Sequence, residues 1–188
     1  MSTLKVNSII PTAGVATGQG GGIVQTIMGE LRTNVSQSIS GTGGTGSSAV
    51  LSATITPTST SSKVKISGSI TVGMDNPTNT VYIKLYKNDS ELSAASSSET
   101  AGNRNTGVIG SDLISYAWQV STIPFHYIDS PNTTSATTYQ IYLAHSSGNS
   151  TTVYVNRTYT DNNNGSYVYT ASHIILEEVS AWLLPCII

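Results

Sequence analysis

The residues that could do chemistry are few and scattered. His126, His145 and His173 stand too far apart for any two to share a short metal-ligand spacing. Cys186 is the sole cysteine, so neither an internal disulfide nor a cysteine-based zinc site can form. A triad of His126, Asp129 and one of many serines can be drawn, but no Gly-x-Ser-x-Gly elbow exists to present the nucleophile. Glu177 and Glu178 are neighbours on a strand-like stretch, which points them to opposite faces and prevents the paired action a glycosidase needs. Gly41-Thr42-Gly43-Gly44-Thr45-Gly46 spells a dinucleotide loop literally. The continuation, Ser47 to Thr56, reads as a strand where that site needs a helix, and Ser61 to Ile66 lacks the required acid. Asp161-Asn162-Asn163-Asn164-Gly165 begins like a calcium loop, but Gly165 is its fifth residue and Ser172 its twelfth, out of phase with the EF-hand pattern. A hairpin turn is the expected use of that segment. The chain is therefore expected to be no enzyme, with no catalytic residue, no metal ligand and no cofactor.

One constellation survives. Tyr116 and Trp118 share a segment with Phe125, His126 and Tyr127, and Asp129 ends it. Aromatic faces stack on the C–H face of a sugar ring while His and Asp bond its hydroxyls. Tyr116, Trp118, His126, Tyr127 and Asp129 are thus candidate glycan contacts. The plainer alternative has Trp118 and Phe125 filling the interior. Ten Tyr against one Phe points the same two ways, because Tyr suits positions half dry and half wet: the rim of a core, or a contact between subunits.

The elements that must position these residues are strands. Val64, Ile66, Ile70, Val72 and Met74 alternate with Lys63, Lys65, Ser69 and Thr71, with Gly68 on the apolar side. Val81, Ile83 and Leu85 alternate with Tyr82, Lys84 and Tyr86. Further strands are expected over Ile23 to Met28, Leu31 to Ile39, Val50 to Thr56, Tyr116 to Tyr127, Tyr139 to Ala144, Val153 to Tyr159 and Tyr167 to Leu176. Gly, Asn, Ser and Pro separate them at positions that tight turns use. No stretch carries a helical stripe. The fold class is all-β: an antiparallel β-sandwich, jelly-roll-like, with an extended N-terminal arm.

Composition narrows the function further. Only 10% of residues are charged and the net charge is -2, too neutral for binding nucleic acid through a basic surface. Ser and Thr make up roughly 30% of the chain, and 38% of it is hydrophobic, enough to bury a core. The longest apolar stretch, Ala181 to Ile188, is far short of the about 20 residues a bilayer helix needs, so no membrane insertion is expected. The first residues lack a continuous apolar run and are not read as a secretory signal. The sequons at Asn132, Asn149 and Asn156 then predict nothing.

Met1 to Gly22 ends in a glycine-rich ribbon that cannot hold a regular element alone, so Leu4, Val6, Ile9 and Ile10 are the natural contacts of a docking arm. The expected organisation is an attachment arm over 1–22, a sandwich body over 23–181 and an apolar tail over 182–188.

The opening Leu4-Lys5-Val6-Asn7-Ser8-Ile9 with Pro11 and Gly14, the glycine-rich spacer, and the closing Ser172-His173-Ile174-Ile175-Leu176-Glu177-Glu178 resemble virion structural proteins of tailed phages, particularly cyanophages. The resemblance implies a short attachment segment before a jelly-roll module, commonly a homotrimer, in a tail fibre. It implies as partners other copies of the chain, other virion proteins and a host-surface glycan, and as location the virion, after synthesis in the host cytoplasm. A capsid decoration protein is the alternative, and a tail-borne glycan-degrading enzyme a weaker one. The chain departs from the pattern by continuing through Trp182-Leu183-Leu184-Pro185-Cys186-Ile187-Ile188, a second possible docking strip.

Overall fold

Val64, Ile66, Ile70, Val72 and Met74 are all fully buried, and the lysines between the first of them face outward, as their alternation requires. The structure, a computed structural model, describes residues 22–41, 44–75, 80–98, 104–111, 114–146, 148–165 and 167–180. Within these the strands are β1 (Ile23–Leu31), β2 (Val35–Ile39), β3 (Leu51–Ile55), β4 (Lys63–Met74), β5 (Val81–Lys87), β6 (Ser90–Glu91), β7 (Ile109–Gly110), β8 (Ser121–Asp129), β9 (Thr137–His145), β10 (Thr151–Val155) and β11 (Ser172–Val179). A single 3-10 turn, Ser93–Ala95, is the one helical element among them.

All pairings are antiparallel and divide the strands into two sheets. One runs β1-β11-β4-β10-β2, with β8 on the other side of β4; the second runs β3-β9-β5-β6, with β7 also on β5. The register reduces this to a simpler plan. Along β4, Ser69 faces His173 of β11, and Val72 faces Val155 of β10. β10 and β11 are therefore two halves of one strand, interrupted by residues 156–171. β1 and β2 flank those halves as an equally interrupted edge strand, broken at 32–34. Counting each broken strand once, and β6 with β7 once, eight strands form two four-stranded sheets in the orders 1-8-3-6 and 2-7-4-5. That order is a jelly roll.

The core lies between the sheets, where Ile66, Ile70, Ile123, Ile174 and Leu176 from the first meet Ile55, Ile83, Ile141 and Leu143 from the second. Phe125 is buried there too, and its ring occupies the space beside Gly68, where an added Cβ would lie 2.8 Å from Cζ.

Four strand boundaries differ from expectation, and three share a cause. Leu31 to Ile39 is broken at 32–34, Val153 to Tyr159 stops at Val155, and Tyr167 to Leu176 starts at Ser172. All three meet at Asn156, which is fully buried with a left-handed φ of 64°. Its Nδ2 donates to the Leu31 and Thr33 carbonyls at 2.8 and 3.0 Å, and its Oδ1 accepts from Ser172 Oγ at 2.6 Å. A sequon asparagine thus serves as the knot between the two halves of a broken sheet. The fourth difference is at Tyr116 to Val120, which forms a turn before β8.

Candidate functional site

Residues 156–171 leave the sheet as a narrow hairpin closed by Thr170 N–H on the Asn156 carbonyl (3.0 Å) and by an Arg157–Tyr169 bridge. The hairpin folds across the outer face of β4. A Cβ on Gly73 would lie 2.7 Å from the Arg157 carbonyl oxygen, so this approach depends on glycine. Beside it, Thr71 is paired with Thr122 at the start of β8. The turn before β8 is consequently within reach, and Thr160 N–H donates to the Ala117 carbonyl at 3.1 Å. Two segments more than forty residues apart are joined at one place on the surface.

The joined segments carry the exposed rings. Tyr116 and Trp118 stack with centroids 4.9 Å apart and planes 13° from parallel. Trp118 is 60% exposed and Tyr169 67%, and Tyr159 is exposed as well. Arg157 holds the hairpin's interior, its guanidinium 4.2 Å above the Tyr154 ring and 3.4 Å from Asp161 Oδ2. Tyr169 Oη donates to Asp161 Oδ1. This bond, with burial second, raises the Tyr169 phenol above its ordinary pKa. At the tip, Asp161, Asn162, Asn163, Asn164, Tyr167 and Tyr169 line a cleft of about 410 Å³. The expected hairpin turn at Asp161 to Gly165 is where the structure has it, but the turn also walls a cleft.

The five candidate glycan residues do not converge. Tyr116 and Trp118 lie at the Ser121 end of β8, whereas Asp129 lies at the other end, about 26 Å away at 3.3 Å per residue. His126 points outward and Tyr127 is half-buried against the core, on opposite faces of the strand. Asp129 is buried, and its Oδ2 accepts from Lys87 Nζ at 2.9 Å and Tyr139 Oη at 2.7 Å. Lys87 and Tyr139 belong to the opposite sheet, so Asp129 clamps the two sheets together. Burial, then the bond to Asp129, pushes the Tyr139 phenol far above its ordinary value. Asp129→Ala is expected to destabilise the fold by about 3 kcal/mol, because it strands a buried hydroxyl and an ammonium group. Urea denaturation measures this; a loss within ~0.5 kcal/mol of zero would place Asp129 among ordinary surface residues. Of the two aromatic fillers weighed for the interior, Phe125 is one and Trp118 is not.

Leu4, Val6, Ile9 and Ile10 lie outside the described residues, as do 182–188. His145 is buried with Nε2 3.0 Å from the Ile39 carbonyl oxygen, while His126 and His173 face outward two strands apart, opposite Ser67 and Ser69 of β4. Glu177 pairs with Lys65 at 2.6 Å on the outside, and Glu178 is turned inward, so the two carboxylates do sit on opposite faces.

No protein-family profile and no curated protein matches the sequence. Among solved structures, similarity is found to a chain in the structure of infectious bursal disease virus Gt strain, at a TM-score of 0.41 and 10% identity, covering 97% of this chain and 43% of that one. A chain in the Gx strain structure gives a TM-score of 0.37 and 14% identity, covering 96% of this chain and 42% of the other. The chain spans less than half the length of those it matches.

A second cleft, of about 520 Å³, opens among loops of the second sheet near Tyr82, Arg104, Asn105 and Ser146. Its aromatic residue, Tyr82, is buried. The hairpin end therefore holds the surface best suited to a ligand with flat apolar faces. The signals for it were in the sequence, as Tyr159, Tyr169 and the Asp-Asn-Asn-Asn run. Their link to Trp118 was not, because it depends on one backbone hydrogen bond between distant segments.

Proposed function

We propose that the chain is a virion structural protein: a jelly-roll protomer of a trimeric tail fibre or fibre-like appendage, attached through residues 1–22 and presenting its body to the host surface. The observation that carries this reading is apolar side chains left in water on the outer face and rim of one sheet. Ile23, Val24 and Met28 are exposed on the edge strand β1, and Ile128 is 62% exposed on the opposite edge strand β8. The register puts Met28, Ile175, Ser67 and His126 in one outward row, with Thr26, Glu177, Lys65 and Ile128 in the next. Between the apolar rims lie Ile175, Ser67, His126 and the Lys65–Glu177 ion pair, a shallow surface that a neighbouring copy covers well. The uncharged Ser- and Thr-rich exterior agrees with a particle protein, since little Coulomb energy is available for salt to screen.

Deleting residues 1–22 is expected to leave a soluble trimer by analytical ultracentrifugation that no longer joins virions. A monomer, or a truncated chain that still assembles into particles, overturns the reading. Purified full-length protein that blocks adsorption supports the fibre. Unstable shells on its removal, with adsorption unchanged, move the protein to capsid decoration, and release of reducing sugars from host polysaccharide makes it an enzyme.

A further inference from the structure

We infer that the hairpin of residues 156–171 and the turn of residues 116–119 together form a carbohydrate-binding site for an uncharged glycan. Four aromatic residues, Tyr116, Trp118, Tyr159 and Tyr169, are the only rings among the exposed large hydrophobic residues of the described chain, and all four lie on these two segments. Exposed rings are scattered when they merely complete a surface; here they are gathered, and the Ala117–Thr160 hydrogen bond holds the two groups together. Stacking aromatic faces are what the C–H faces of pyranose rings dock against.

The polar half of the site fits the same ligand. Asn162 and Asn163 follow one another on the wall of the cleft, and each side-chain amide carries both donors and an acceptor, the mixed pairing that sugar hydroxyls require. The local charge is already settled. Asp161 is engaged by Arg157 and by Tyr169, so neither the carboxylate nor the guanidinium is left to seek an ionic group on the ligand. A site built from neutral amides and rings, with its one ion pair closed internally, selects a neutral polysaccharide over an acidic one. The glycan-contact reading of Trp118 and Tyr116 from the sequence is kept, with Tyr159, Tyr169, Asn162 and Asn163 in place of His126, Tyr127 and Asp129. The inference rests on the proposed virion role only for the source of the glycan, a host surface; the binding itself stands apart from it.

The test uses the full chain carrying Trp182→Phe, which leaves Trp118 as the sole tryptophan and makes its fluorescence a report from the site. Native gels containing dextran, yeast mannan or galactomannan, with alginate as the acidic counterpart, supply the probes. Retardation by at least one neutral polysaccharide is expected, together with a change in Trp118 emission on adding it. Tyr169→Ala and, in the wild-type background, Trp118→Ala are each expected to weaken retardation about tenfold, while Thr54→Ala on the opposite sheet leaves it unchanged. These side chains are exposed, and thermal melts matching the parent confirm that the variants fold. No retardation by any neutral polysaccharide, retardation by alginate alone, or retardation insensitive to both ring deletions overturns the inference. Absence from virions with glycan binding intact overturns the proposed function instead.

Discussion

Asn156→Ala is expected to cost about 4 kcal/mol of folding free energy, a large fraction of the roughly 5–15 kcal/mol that holds a domain of this kind together. The side chain is fully buried and makes three hydrogen bonds, to the Leu31 and Thr33 carbonyls and from Ser172 Oγ. Its own N–H donates to the Thr71 carbonyl, and Ser172 Oγ accepts the Thr71 N–H, so the network spans β1, β4, β11 and the root of the hairpin. Alanine strands two part-buried carbonyls and one buried hydroxyl, at about 1–3 kcal/mol for each group left without a partner and unreached by water. It also takes on the left-handed backbone at φ 64°, which adds roughly 1 kcal/mol for a residue with a plain Cβ. Glycine separates the two contributions: Asn156→Gly removes the same bonds but relieves the backbone, and is expected to lie about 1 kcal/mol above the alanine variant. Urea denaturation measures both, and hydrogen exchange at the Thr170 amide reports whether the hairpin root opens first. An alanine variant within 1 kcal/mol of wild type would mean that Asn156 is a passenger at the break and that the sheet halves hold without it.

The second large effect is on acid stability. Glu178 is fully buried on the inner face of β11, where Ile174 and Leu176 also point inward. Burial by itself would push its carboxyl up. Against that, Gln25 Nε2 donates to Oε2 at 2.7 Å, the Thr58 N–H and Oγ1 donate to Oε1 at 2.8 and 2.7 Å, and Ser62 adds a further side-chain bond. The donors prevail and hold the carboxyl at about 2 where 4.5 is usual. A folded-state value below the unfolded one means the unfolded chain binds the proton more readily. The contribution is therefore complete above about pH 4.5 and drains away as pH falls toward 2. It amounts to about 2 kcal/mol, somewhat less than the full shift implies because the site sits at the rim of the sandwich. Glu178→Gln is expected to lose that amount at neutral pH and to flatten unfolding free energy between pH 4.5 and 2. A variant that keeps the wild-type slope in urea titrations across that window would show that another group carries the acid transition. Gln25 and Thr58 belong to the edge strand β1 and the connection from β3 to β4, so protonation at Glu178 loosens the side of the sandwich where these two segments meet.

These two residues also mark how far the chain could be read without its structure. The strands over 63–74 and 81–87 were legible because one face of each is buried, and burial imposes the period-two alternation directly. Neither Asn156 nor Glu178 stood out: one looked like a chance sequon, the other like one of two neighbouring acids on opposite faces of a strand. Their roles come from groups up to 125 and 153 residues distant, and no local pattern encodes such partners. Trp118 and Tyr116 were recognisable as candidates because they share a segment with further aromatic residues, His126 and Asp129. Asp129 was misplaced in that company for a related reason, since a polar residue after aromatic ones looks like a ligand contact until its inward turn toward Lys87 and Tyr139 is seen.

Local sequence, then, determined what depends on near neighbours: the all-β class, most strand centres, the inward-facing set and the turn at Asp161 to Gly165. Tertiary structure alone decided where one strand is cut in two, which buried polar groups are satisfied and which rings share a surface. Those outcomes turn on hydrogen bonds and close approaches between segments far apart in the chain, whose geometry exists only once both sheets have packed.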